Sequence, residues 1–243
     1  LAHLTHPFWS WIERWTITQA KQVNLISRGF QHYIETHYPH IKLSYFTHGI
    51  HKDLIQYSFK SVGQSSDQFT VLYAGEMNDE QGLECILPKL AKLLEGCANF
   101  KIWGEGKRKK HVEMAVQLAQ CSNVEFLSLK NRYELLATYE QADILFLHIN
   151  PHHCWRNTLP SNLFEYAATG KPIWAGAQGY VAEFIRTEID NAIVFSPGDA
   201  EKAVKDIVKL QFGVYERLDF LRKYQQDNLL QTMANELIAY IQQ

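Results

Sequence analysis

The sequence predicts an α/β fold built on a doubly wound parallel sheet. Three observations predict it. From Phe69 to Leu210 short apolar runs alternate with amphipathic stretches, and repeated βα units of this length imply parallel strands, right-handed crossovers and helices on both faces. Asp143–Ile149 (DILFLHI) is a continuous apolar run, the pattern of a strand buried on both faces. Leu159–Gly176 (LPSNLFEYAATGKPIWAG) reads as loop, helix and strand: Ser161 is a good N-cap type, Gly170 stops the helix and Pro172 starts an apolar run.

Composition bounds the rest. With 243 residues, 46% hydrophobic, the chain can build one large core, or one domain and part of another. Lys plus Arg is 24 and Asp plus Glu is 26, a formal charge of −2 that gives no support for a nucleic-acid partner. Cys85, Cys97, Cys121 and Cys154 are scattered without close pairing, which fits a reducing compartment. No apolar run approaches the roughly 18 residues that span a bilayer. A cytoplasmic protein is expected, free or at the inner face of a membrane. The chain begins at Leu1 within a helical pattern, so a missing N-terminal portion is expected.

The elements follow in order. Phe8–Ala20 reads as an amphipathic helix carrying Trp9, Trp11 and Trp15. Its aromatic face either packs on an N-terminal sheet or forms a membrane-surface or acceptor-facing patch; its low basic charge favours packing. Val23–Ser27 and Leu43–Thr47 read as strands around a helix at Phe30–His37, and His48-Gly49 breaks the second strand. The polar stretch 61–68 (SVGQSSDQ) is the linker candidate and sets residues 1–60 apart; the order of their elements resembles the closing part of a first domain in a known two-domain family. In the second domain, 69–212, strands are expected at Phe69–Ala74, Asn99–Trp103, Val124–Leu127, Asp143–Ile149, from Pro172, and at Ala192–Phe195. Helices are expected at Gly82–Leu94, Lys107–Gln120, Arg132–Glu140, from Ser161, at Tyr180–Arg186 and Ala200–Leu210. Residues 213–243 carry a helical pattern only.

The Ser161 helix starts at the carboxyl end of a parallel strand. Free backbone N–H groups and the positive dipole end there suit a phosphate, and Glu165, one turn in, is within reach of a ribose diol. LPSNLFEYAATGKPI resembles the P-S-K-x-F-E-Y-x-A-x-G-K-P-V segment of retaining, family-4-type glycosyltransferases of the two-domain B fold. The resemblance implies that the helix start at Ser161, Asn162 and Leu163 holds a nucleotide diphosphate and that Glu165 binds the ribose. It also implies helices at the C-terminus that cross back to the first domain.

Other segments extend the resemblance, mainly over Phe69–Gly198. Gly75 and Gly82 bracket the loop after the first strand of the second domain, as in the family's Gly-Arg-Leu…Lys-Gly turn. Glu76 and Gln81 stand where that arginine and lysine hold the diphosphate, and Asn162 replaces a further lysine. Trp103-Gly104-Glu105-Gly106 resembles the family's Gly-Asp-Gly turn near base and ribose. Asn123–Leu127 resembles an Asn-Val-x-Phe-Leu strand whose following loop reads the base, which makes Leu129 and Lys130 the base-contact candidates. The turn at Thr47–His51 matches the family's Pro-Asn-Gly-Val-Asp turn only at Gly49 and Ile50. Ala175–Gly179 with Glu183 resembles a Gly-x-x-x-Glu loop.

The loop Asn150–Thr158 (NPHHCWRNT) has two readings. His152, His153 and Cys154 are metal-capable, but adjacent residues seldom fill one tetrahedral site, so no metal is expected. As a substrate-facing loop it offers Arg156 as a cation for the diphosphate. The resemblance implies a transferase that uses a UDP- or GDP-sugar as donor substrate, no further cofactor, and a glycan or lipid-linked acceptor. A non-catalytic nucleotide-sugar-binding module and a nucleotide-sugar epimerase are the alternatives. No catalytic base is identifiable, and the chain alone is expected to be inactive.

Overall fold

The computed structural model describes residues 2–60, 68–128 and 131–242. Helix α1 (Ala2–Gln19) leads into β1 (Gln22–Asn24), a 3₁₀ turn at Arg28–Phe30, α2 (Gln31–His37), β2 (Lys42–Ser44) and α3 (Lys52–Gln56). The second part runs β3 (Phe69–Ala74), α4 (Leu83–Leu93), β4 (Ala98–Trp103), α5 (Lys109–Leu118), β5 (Val124–Phe126) and α6 (Arg132–Gln141). It continues with β6 (Ile144–His148), α7 (Ser161–Ala168), β7 (Ile173–Gly176), α8 (Tyr180–Glu188), β8 (Ala192–Phe195) and α9 (Ala200–Ile207). Two further helices, α10 (Leu218–Tyr224) and α11 (Gln226–Ile241), end the chain.

Six strands form one parallel sheet in the order β5-β4-β3-β6-β7-β8, and β1 and β2 form a separate parallel pair. The chain winds outward from β3 to β5, returns to β6 and winds outward again. The reversal leaves a crevice between the carboxyl ends of β3 and β6, where open α/β sheets bind ligands. Side chains alternate across the sheet with period two. Leu72, Leu145 and Ala175 join one core with α6, α7, α8 and α10. Val71, Tyr73, Phe146 and Trp174 join the other with α4, α5 and α9. Trp174 is fully buried and donates its indole N–H to the Ala203 carbonyl at 3.2 Å.

The first 60 residues rest on the second part through several contacts, among them Tyr57 OH donating to Glu140 at 2.9 Å and two backbone junctions. Ile50 N–H donates to the Tyr224 carbonyl (2.7 Å) and Gln226 N–H to the Ile50 carbonyl (3.1 Å), so a bridge at Ile50 and Gln225 separates α10 from α11. Ser27 Oγ donates to the Asn157 carbonyl, and Gly29 fits so closely there that a Cβ would lie 2.8 Å from Asn157 Cα. Helix α3 has no counterpart in the sequence pattern. Its five residues are too few for periodicity, and it is held by a His51 cap on the Asp53 N–H and by buried Leu54. The expected linker falls at 61–67, outside the described residues, and at Gln68. Phe8, Trp9, Trp11 and Trp15 on α1 are all more than half exposed.

Buried cations lock the lower end of α7 and β7. Arg217 is 6% exposed and donates to the carbonyls of Ala167, Lys171 and Asp190 at 2.7–3.1 Å. Burial pulls its pKa down to about 10. Lys171 donates to the Glu140 carbonyl at the end of α6 (2.9 Å), and burial lowers its pKa too. Positive charge at the carboxyl ends of helices complements their dipoles.

Candidate active site at the start of α7

Helix α7 opens on a cavity of about 300 Å³ lined by Gly75, Glu76, Glu80, Gln81 and Thr158–Asn162. The cap residue is Pro160, not Ser161, with extended backbone (φ −75°, ψ 139°) and no side-chain cap. Ser161 is therefore the first helical residue. The Leu163 N–H is already donated to the Pro160 carbonyl at 3.2 Å, and the Leu163 side chain is buried. The N–H groups of Ser161 and Asn162 have no partner among the described residues and sit at the positive end of the helix, the arrangement that binds anions.

Side chains of α7 fix this start against β3. Tyr166 OH accepts from the Ala74 N–H (2.7 Å) and donates to the Ala74 carbonyl (2.9 Å), and Asn162 donates to the same carbonyl at 3.2 Å. Asn162 is thus occupied by the strand end. Gly75 leaves room for it, since a Cβ there would lie 2.6 Å from the Asn162 amide nitrogen. Glu165 is partly exposed and held by two residues that sequence reasoning missed. Arg132 Nη1 donates to both its oxygens (2.9 and 3.2 Å), and Tyr139 OH to Oε2 at 2.9 Å. A ribose diol would add to this network.

The remaining site candidates take different places. Gly104 (φ +147°) meets the Gly75 loop: a Cβ would lie 1.7 Å from the Gly75 carbonyl oxygen. The Gly75 and Met77 N–H groups donate to the Trp103 and Glu105 carbonyls, so this glycine lets the two loops pack against each other. Gly82 takes left-handed backbone (φ +56°) at the start of α4. Arg156 is exposed, its carbonyl accepts from the Tyr180 N–H, and it does not line the cavity at Ser161. Leu129 and Lys130 lie outside the described residues. Among the described residues no three His, Cys, Asp or Glu side chains are placed to hold a metal; His152 and Cys154 form a pair, Nδ1 to Sγ 2.9 Å.

The cavity is acidic. Glu76 accepts from Asn78 Nδ2 at 2.7 Å, and burial together with the Glu76 charge raises the pKa of Glu80. Gln81 is buried, and its side chain accepts from the Asn78 N–H at 2.9 Å. His148 sits beneath, at the end of β6. Its Nδ1 lies 2.6 Å from the Gln81 carbonyl and its Nε2 accepts from the Gly198 N–H at 3.2 Å, which assigns the proton to Nδ1 of a neutral ring. Burial depresses its pKa to about 4. The unfolded chain then binds the proton first. The contribution of His148 is complete above about pH 6.5 and falls as pH drops towards 4, by about 3 kcal/mol in all. Urea unfolding from pH 7 to pH 4 should show this loss, and His148→Gln should lack that part of it. Parallel profiles for both proteins would contradict the assignment.

Comparison with known proteins agrees with this architecture. The family model described as glycosyl transferases group 1 matches residues 68–211. An uncharacterized glycosyltransferase of Methanocaldococcus jannaschii is 25% identical over 193 residues, which are 72% of this chain and 46% of that protein. The chain thus spans under half the length of that curated relative. Sucrose-phosphate synthase of Thermosynechococcus elongatus superposes with a TM-score of 0.73 at 15% identity, over 95% of this chain and 61% of that one. HepE of Anabaena, solved with UDP and glucose, superposes at 0.65 and 15% identity, over 90% and 63%. No helix among the described residues is long and apolar enough to cross a membrane.

Proposed function

The chain belongs to the group 1 glycosyl transferases, and from that premise we propose that it binds a nucleotide-diphosphate sugar, UDP- or GDP-linked, at the carboxyl edge of the six-stranded sheet. The transfer would run to a glycan or lipid-linked acceptor with retention at the anomeric carbon. The observation that carries this reading is the uncapped start of α7 at the β3–β6 crevice, with Glu165 one turn further on. The free Ser161 and Asn162 N–H groups would take the diphosphate and stabilise charge on it as the sugar leaves. Glu165, aimed by Arg132 and Tyr139, would accept from the ribose hydroxyls. The UDP bound to HepE makes uridine the first base to test.

The acidic lining favours a second reading, a module that holds a nucleotide sugar without transferring it. Glu76 and Gln81 supply no cation to the leaving group. Donor hydrolysis and transfer assays would separate the two.

Calorimetric titration with UDP and GDP tests the binding. Glu165→Ala is expected to weaken the preferred nucleotide by about 1.5–3 kcal/mol, the range for hydrogen bonds to charged groups. Glu183→Ala should change it less. Binding of neither nucleotide at millimolar concentration would sink the proposal, and a folded Glu165→Ala protein that binds like wild type would make Glu165 a structural partner of Arg132 and Tyr139.

A further inference from the structure

A second cavity, of about 440 Å³, lies between the carboxyl ends of β1 and β2 and the helices α8, α10 and α11. Its size falls within the about 300–1,000 Å³ of small-molecule sites. Leu159 is the wall between it and the cavity at Ser161. Most of its lining is apolar or aromatic, including Leu25, Tyr45, Tyr180, Phe184 and Leu229. Its charged groups are Arg28, Lys223 and Glu188. Lys223 is committed to Glu188 at 2.7 Å, with Tyr224 OH on the same carboxylate. Among the described residues no carboxylate pairs with Arg28. Its guanidinium lies 3.9 Å over the Tyr45 ring, which holds it at the cavity by a cation–π contact and leaves its N–H groups to a ligand.

One more group here has no partner. Thr47 Oγ1 is buried and makes no hydrogen bond among the described residues. Thr47 lines the same cavity. A buried polar atom without a partner costs stability unless something absent from the free chain pairs with it. The cavity therefore combines one uncommitted guanidinium, one unsatisfied hydroxyl and a set of apolar and aromatic side chains.

We infer that this cavity binds a phosphorylated amphiphile, its phosphate on Arg28 and Thr47 and its apolar part against Tyr180, Phe184 and Leu229. A guanidinium and a hydroxyl match phosphate oxygens as donors, and the aromatic wall takes a chain or ring that a bare sugar lacks. The contrast with the neighbouring cavity is one of charge: that one carries Glu76 and Glu80, this one a surplus cation. The role of such a molecule as acceptor rests on the transferase reading; its binding does not.

Octyl phosphate, kept below its micelle concentration, is the probe, titrated into the full chain by calorimetry. Saturable binding is expected, weakened at least about tenfold in Arg28→Gln, whose exposed side chain makes misfolding no obstacle. Thr47→Val should also weaken it. Inorganic phosphate and octyl glucoside, which each lack one half of the ligand, should bind at least about tenfold more weakly than octyl phosphate. A phosphorylated lipid and a soluble aryl phosphate share this chemistry, and phenyl phosphate binding more tightly than octyl phosphate assigns the site to the soluble class. Absence of octyl and phenyl phosphate binding, equal affinity in Arg28→Gln, or inorganic phosphate binding as tightly as either overturns the inference. UDP titrated in the same samples keeps the two proposals apart: UDP binding retained while both organic phosphates fail removes only this one, and the reverse removes only the donor site.

Discussion

Replacing Glu76 with arginine is expected to tighten UDP binding by about 1.5–3 kcal/mol, tenfold to a hundredfold. In the wild-type protein a diphosphate arriving at Ser161 meets two carboxylates, Glu76 and Glu80, and no lysine or arginine lines the cavity. Glu76 is exposed, and among the described residues its side chain is held only by Asn78, so a longer cation can replace it without disturbing the core. The substitution removes a repulsion and adds charge-assisted donors at the diphosphate. Calorimetry at low and high salt checks it, because an electrostatic gain at a solvated rim shrinks as salt rises. Unchanged affinity at low salt would place the diphosphate elsewhere.

Arg217→Met is expected to lower stability by about 3 kcal/mol. The variant leaves the carbonyls of Lys171 and Asp190 without their donor, while Ala167 keeps the Gly170 N–H, and each buried orphan costs about 1–3 kcal/mol. The loss stays at the lower end of that sum because the charged guanidinium is itself penalised by burial, as its lowered pKa records. In a domain of this size the melting temperature should drop by about 6–12 °C. Arg217→Lys should recover little, since an ammonium cannot span three carbonyls as a planar fork does. A shift in urea midpoint equivalent to less than about 1 kcal/mol would show that water or a neighbour takes over these carbonyls. The folded Arg217→Met protein should still bind UDP, because the start of α7 lies a full helix away from the site of change.

Much of the second part was legible from local pattern. The limits of β3 and β8 follow from apolar runs bounded by turn residues, and the helix at Ser161 from its periodicity and Gly170. Such features depend on neighbours within a few positions, so the order of residue types carries them. The six-stranded parallel sheet follows because βα repeats of that length have one common way to pack. The charge at the cavity was legible too, since Glu76 and Gln81 occupy positions beside two glycines that any reading of the loop must place together.

What the tertiary structure alone decided depends on residues far apart in sequence. Glu165 is held by Arg132 and Tyr139, 33 and 26 positions before it, on a helix whose packing against α7 no local pattern specifies. Gly104 reads from the sequence as a turn near base and ribose, and its close packing on the Gly75 carbonyl of the neighbouring loop is visible only in the fold. Pro160 takes the cap position because its extended backbone ends the loop there, leaving Ser161 as the first helical residue. The cavity at Arg28 joins residues from the two ends of the chain and its middle, and Arg217 reads as one charge among many until three carbonyls close around it. Periodicity says which face of an element is buried; which groups meet across that face is set by packing, and the chemistry of both cavities depends on those meetings.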